Sequence, residues 1–135
     1  MMSDNDKTRV LIVEDEIIVA LFLEDMLAEY GYEVAGVASR LEEAMARAQA
    51  PDFALAVLDV HLNGKDVFPL ADRLAECGLP FVFATGYGAR GIPERHSGRP
   101  VLQKPFLPDD LARTLATLAP GIRPLAASHH SAVAG

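Results

Sequence analysis

Five short apolar runs constrain this chain more than any other feature: Val10–Val13, Val34–Val37, Leu55–Leu58, Phe81–Ala84 and Val101–Leu102. None alternates apolar with polar residues. A strand with one wet face alternates, whereas an unbroken apolar run needs cover on both faces. The segments between the runs carry helical spacing, so strands and helices alternate along the chain. That order dictates an α/β architecture, a parallel sheet sandwiched between helices. Right-handed crossovers and a length of 135 residues leave few topologies, and the doubly wound flavodoxin-like order 2-1-3-4-5 fits best.

The helices are read from periodicity and punctuation. Val19, Phe22, Leu23, Met26, Leu27 and Tyr30 recur at helical spacing before Gly31. Ser39, followed three residues later by Glu42, has the pattern of a capping box and opens a helix with inner face Leu41, Ala44, Met45 and Ala48. Val67, Leu70, Ala71 and Leu74 mark a third helix, with Pro69 confined to its first turn and Gly78 closing it. Cys77 continues its buried face. Between Thr85 and Val101, glycines and prolines leave room for about one helical turn, so the fourth helix is reduced. Pro108, Asp109 and Asp110 open a last helix lined by Leu111, Leu115 and Leu118. The domain is expected to span 8–119, with flexible tails at 1–7 and 120–135.

Glu14 and Asp15 follow the first strand, Asp59 the third, Thr85 the fourth and Lys104 the fifth. In a parallel sheet these positions share one edge, around the switch point where such folds bind ligands. Three crowded carboxylates repel one another and hold protons unless a cation joins them. Mg²⁺ takes oxygen ligands of this kind, and no thiol or imidazole cluster argues for zinc. Lys104 supplies a point charge suited to phosphate oxygens, and Thr85 a hydroxyl able to donate to one. Carboxylate nucleophile, metal, lysine and hydroxyl are the parts of a phosphoryl-transfer site. Singly, each residue has a simpler explanation: acids at a helix N-terminus, a loop cap, a turn residue, a solvated lysine. Convergence from four strand ends makes the joint reading the better one.

The segments Val13-Glu14-Asp15-Glu16, Leu58-Asp59, Ala84-Thr85-Gly86 and Lys104-Pro105-Phe106 together resemble the receiver domains of bacterial two-component response regulators, often called CheY-like. Phe83-Ala84-Thr85-Gly86-Tyr87 resembles the FATGUY-type subgroup, known for a reduced fourth helix. The resemblance covers residues 8–119. It implies that Asp59 is the phosphoacceptor, receiving its phosphoryl group from a histidine kinase or histidine phosphotransfer protein. It implies further that Glu14, Asp15, Asp59 and the backbone carbonyl of His61 hold Mg²⁺. By the same resemblance Thr85 and Lys104 contact the phosphoryl group, and the Lys104–Pro105 peptide is cis.

Two positions depart from the family pattern. Asn63 replaces a proline common in the loop after the acceptor, and Val101 stands where many receivers carry a switching Tyr or Phe. Val101 is too small and too stiff at χ1 for that motion. Tyr87, flanked by Gly86 and Gly88, is the expected replacement, swinging with Thr85. Arg90, Arg95 and Arg99, set against Glu94 alone, would then meet an acidic partner surface.

Other readings fit less well. Gly86-Tyr87-Gly88-Ala89-Arg90-Gly91 satisfies the G-x-G-x-x-G pattern, but Pro93 and Gly98 forbid the full helix a dinucleotide site opens. A haloacid-dehalogenase-type phosphatase also forms an aspartyl-phosphate, yet needs a second Asp where His61 stands. A docking-only pseudo-receiver has no use for an intact site.

Composition sets the partner class. A formal net charge of −7 disfavours nucleic acid and anionic membrane, which both reward basic surfaces. The single cysteine, Cys77, excludes an internal disulfide and suits a reducing cytoplasm. No apolar run approaches the roughly 20 residues that span a bilayer. Too few residues follow Lys104 for an effector domain, so a chain ending here is expected to act by protein contact or phosphate traffic. Ile17, Ile18 and Leu21 fall outside the core stripe of the first helix, and with Phe106 form the expected kinase-docking patch. A homodimer face, or packing against a neighbouring helix, are the alternatives.

Overall fold

Side chains on a strand point alternately to the two faces, so an unbroken apolar run must be buried on both. The computed structural model, which describes residues 7–118, shows this in β1 (Arg9–Val13), β3 (Leu55–Asp59) and β6 (Phe81–Thr85). Leu11, Val13, Ala56, Leu58, Phe81 and Phe83 face one core; Val10, Ile12, Leu55, Val57, Val82 and Ala84 face the other. Helices α2 (Leu41–Gln49) and α3 (Phe68–Glu76) cover the first core with Ala44, Ala48, Leu70, Ala71 and Leu74. Helices α1 (Ile17–Glu29) and α4 (Pro108–Leu118) cover the second with Ala20, Leu23, Met26, Leu27, Leu111 and Leu115. Each leucine-sized side chain removed from water in this way contributes about 1.5–3 kcal/mol.

With β2 (Glu33–Ala38) and β7 (Val101–Gln103) the sheet has the order β2-β1-β3-β6-β7, all neighbours parallel. This is the expected 2-1-3-4-5 winding. The chain also forms a separate two-stranded hairpin, β4 (His61–Leu62) and β5 (Lys65–Asp66), directly after Asp59. Along the edge pair β1–β2 the register shifts between Val10 and Leu11, which skips Ala35. The Ala35 carbonyl is satisfied by Arg47 Nη2 at 2.8 Å.

Several local expectations are corrected. The Ser39–Glu42 capping box does not form; α2 starts one residue later, after Arg40. Glu43 instead accepts both the Ser39 N–H at 3.0 Å and its hydroxyl at 3.2 Å, freeing Glu42 to pair with Lys65 at 2.6 Å. Cys77 is exposed because α3 ends at Glu76 and Gly78, at φ 71°, turns the chain away. In α1 the buried stripe runs through Ala20 rather than Phe22, which is 49% exposed.

A single 3₁₀ turn, Glu94–His96, stands in place of a fourth covering helix. It is held down by His96, which is 4% exposed among Phe68, Phe81 and Phe83. Its Nε2 lies 2.7 Å from Asp72 Oδ1 of α3, and Arg95 donates to both oxygens of that carboxylate at 2.8 and 3.1 Å. Arg99 lies over the Phe81 ring at 4.4 Å. Two of the three arginines expected to face an acidic partner are therefore engaged within the domain. Among the described residues no helix is long and apolar enough to cross a membrane. The expected tails, apart from Lys7, lie outside the described residues.

Candidate functional site

The carboxyl ends of β1, β3, β6 and β7 deliver their polar residues to one edge. Carboxylate oxygens of Glu14, Asp15 and Asp59 lie within 4.8 Å of one another. Lys104 Nζ reaches Glu14 Oε1 at 3.1 Å and Asp59 Oδ2 at 3.5 Å. Backbone pairing sets this geometry: Lys104 N–H donates to the Thr85 carbonyl at 2.8 Å, continuing the β6–β7 ladder, and Asp59 pairs in register with Ala84. The Lys104–Pro105 peptide is cis.

Glu14 is 2% exposed, and its Oε2 accepts the Glu16 N–H at 3.2 Å. Burial, then the hydrogen bond and charge of neighbouring Asp59, push its carboxyl up to about 7 against the pull of Lys104. Burial also raises Asp59, as does the charge of Asp15, although Glu14, Lys104 and the His61 N–H oppose the shift. Burial pulls the Lys104 ammonium down, but Asp59 and Glu14 outweigh it and hold the group above its ordinary value. The pocket thus has more negative charge than one lysine balances. Such a donor set, carboxylate oxygens only, suits a hard divalent cation.

Thr85 is 3% exposed, and its Oγ1 accepts the Tyr87 N–H at 3.1 Å. Tyr87 is 61% exposed and meets the His61 ring edge-on, centroids 6.3 Å apart. His61 itself is an exposed hairpin residue whose N–H lies 3.4 Å from Asp59 Oδ1. Val101 is half-buried against the α2–α3 core, opposite Phe83.

Two contacts were not foreseen from sequence. Asn63 donates its backbone N–H to Asp15 Oδ2 at 2.9 Å. Gln103 Nε2 donates to the Gly86 carbonyl at 2.8 Å, tying the Gly86–Gly88 loop to β7. The first had a legible signal: Asn-Gly is the dipeptide that most favours a two-residue hairpin turn. The second had none, because Gln103 carries no motif.

A doubly wound sheet with an acidic cluster and a lysine at its carboxyl edge has the architecture of the CheY-like signalling domains. The family model for the response regulator receiver domain matches residues 10–116, and the chain belongs to that family. The transcriptional regulatory protein PdtaR of Mycobacterium tuberculosis is 35% identical over 107 residues, 76% of this chain and 52% of that protein. The chain thus spans about half the length of the curated relatives it matches. The solution structure of SdrG from Sphingomonas melonis Fr1 is 42% identical with a TM-score of 0.75, covering 87% of this chain and 98% of that one. The BeF3-activated conformation of SdrG is 41% identical with a TM-score of 0.71, covering 82% and 94%. Receiver domains of this family typically bind Mg²⁺ at an acidic pocket.

The raised Glu14 carboxyl has a consequence for stability. Between its ordinary value of 4.5 and about 7, the folded state keeps a proton that the unfolded chain has released. Its stabilisation is complete below pH 4.5 and is lost as pH rises through about 7. Relative to Glu14→Gln, the native protein in EDTA should lose on the order of 3 kcal/mol across that interval. Urea unfolding of both proteins from pH 4 to 8 measures it, and parallel profiles would refute the raised Glu14 carboxyl.

Proposed function

We propose that residues 8–119 form a response regulator receiver domain in which Asp59 accepts a phosphoryl group within a histidine kinase phosphorelay. The observation that carries this reading is the convergence of Glu14, Asp15, Asp59 and Lys104 at one sheet edge. The 42% identity to SdrG over 98% of that chain supports a receiver of the same kind. A net charge of −7 favours a protein partner over nucleic acid, and the single cysteine accords with a cytoplasmic setting.

Asp59 acts as the nucleophile. A carboxylate oxygen attacks the phosphorus of a phosphohistidine; the new O–P bond forms as the P–N bond breaks. The departing imidazole nitrogen keeps the electron pair and takes up a proton. Mg²⁺, which Glu14, Asp15, Asp59 and the His61 backbone carbonyl would hold, supplies positive charge against the phosphoryl oxygens. Lys104 waits at the site, held by Glu14 and Asp59, and turns its ammonium to the incoming oxygens. The Thr85 hydroxyl donates to the phosphoryl group while its oxygen still accepts from Tyr87. Incubation with Mg²⁺ and acetyl phosphate should add one phosphate by intact mass, absent without Mg²⁺ and absent in Asp59→Asn. An adduct that persists in Asp59→Asn would remove the assignment.

The donor docks on the first turns of α1 and the β7–α4 loop. Ile17, Ile18 and Leu21 are 76%, 77% and 52% exposed, and a groove of about 350 Å³ beside them is lined by Val19, Phe22, Lys104, Pro105 and Phe106. An amphipathic helix of the kinase or phosphotransfer protein fits such a surface. Leu21→Glu should slow transfer from the phosphorylated kinase about tenfold, the loss of one interface anchor. Transfer from acetyl phosphate should be unchanged; equal loss with both donors points to misfolding instead.

Phosphorylation is read out through Thr85 and Tyr87, with Val101 as a passive neighbour. Rotation of Thr85 toward the phosphoryl group drags the Tyr87 N–H, and the Gly86–Gly88 loop follows against its Gln103 tether. Arg90 is the one arginine of this segment whose side chain has no internal partner among the described residues. Amide exchange with and without beryllofluoride on Asp59 should change protection across 86–100. Changes confined to α1 would sink this part of the reading.

A further inference from the structure

Directly after Asp59 the chain folds into the β4–β5 hairpin. Leu62, 1% exposed, plugs it into the α2–α3 core and anchors the hairpin there. At its tip Asn63 has φ 51° and Gly64 φ 79°. Both central residues of a type I′ turn need this left-handed conformation, which asparagine and glycine tolerate best. The turn aims the Asn63 N–H at the end of β1, where it donates to Asp15 Oδ2 at 2.9 Å across 48 residues. The Asn63 side chain reaches elsewhere, donating from Nδ2 to the Ser39 carbonyl at 3.1 Å, just past β2. Lys65 adds an ion pair to Glu42 of α2 at 2.6 Å. One residue therefore bridges the ends of β1 and β2 by two separate bonds.

We propose that Asn63 is a positioning residue for Asp15: its backbone N–H fixes one carboxylate oxygen so that the other is kept for the cation. This rests on the reading of Glu14, Asp15 and Asp59 as the metal-holding set. A half-buried aspartate has two free torsions, and a cation that dehydrates as reluctantly as Mg²⁺ binds weakly when its ligands must first be gathered. A donor held by the Leu62-anchored hairpin removes that freedom before the ion arrives. Partners that orient ligands in this way typically matter by about 10- to 100-fold in metal affinity. The backbone conformation is part of the device. A proline at this position has no N–H and a φ fixed near −65°, so it cannot make the bond.

The test is Mg²⁺ titration by calorimetry on the whole chain, with melting in EDTA as the control for folding. A backbone ester at position 63 keeps the side chain and deletes the N–H, at the cost of a weaker Leu62 carbonyl acceptor that the EDTA melting control reads. The ester and Asn63→Pro should each weaken Mg²⁺ binding about tenfold. Asn63→Gly, which keeps the N–H and adopts positive φ without strain, should stay within about threefold. The ester avoids the refolding that Asn63→Pro risks, so an ester protein within about twofold of the native affinity overturns the proposal. So does Asn63→Gly as weak as the ester, because the side-chain tether would then be responsible. If the native chain binds no Mg²⁺, the metal-holding reading falls and this inference with it. If the native chain binds and Asp15→Ala does not, an unaffected ester overturns this inference alone.

Discussion

Glu14 is buried to 2% exposure with Lys104 3.1 Å from one oxygen, and Asp59 reaches the same ammonium at 3.5 Å. One cation thus faces two carboxylates, with Asp15 a third nearby. Left alone, such groups would move apart or draw in water, because burying unbalanced charge is costly. The carboxylates stay because Glu14 and Asp59 sit at the ends of β1 and β3, strands whose side chains are almost all removed from solvent. The cores on both faces are thus the reason the pocket can hold charge at all. The raised Glu14 carboxyl reports that strain, and it is the property that makes a divalent cation welcome.

Three loops take their positions from this edge. The β1–α1 loop carries Asp15 to the hairpin tip, the β3–α3 segment folds into that hairpin, and the β6–β7 segment is tied back through Gln103 and Thr85. The reduced fourth helix leaves one side of the sheet thinly covered. Packing there is carried by His96 among three phenylalanine rings and by its bond to Asp72. The same cluster engages Arg95 and Arg99, so a basic stripe in the sequence is mostly an internal fastening in the fold.

Much of this was legible in advance because the signals are local and repeated. Unbroken runs such as Leu55–Leu58 demand two covered faces, and parallel topology then sends Glu14, Asp59, Thr85 and Lys104 to one edge without any knowledge of contacts. Errors fell where two local choices compete. Ser39 is followed by Glu42 and Glu43, and in the fold the later acid takes Ser39 while Glu42 pairs with Lys65 of the hairpin. Cys77 lies on the extrapolated inner face of α3, but the helix had already ended. Phe22 matches the period of α1, yet the small Ala20 is what the sheet surface accepts.

The sequence by itself determined the architecture, the edge on which the acidic residues and the lysine gather and the identity of those residues, since apolar periodicity and strand ends are properties of short segments. Only the tertiary structure decided how those residues are held. That Asn63 supports Asp15 across 48 residues, that Gln103 restrains the Gly86–Gly88 loop, and that His96 and Asp72 fasten the 3₁₀ turn are facts of long-range geometry. Each depends on where two distant backbone segments meet, and that distance is set by the packed sheet between them, which no local pattern records.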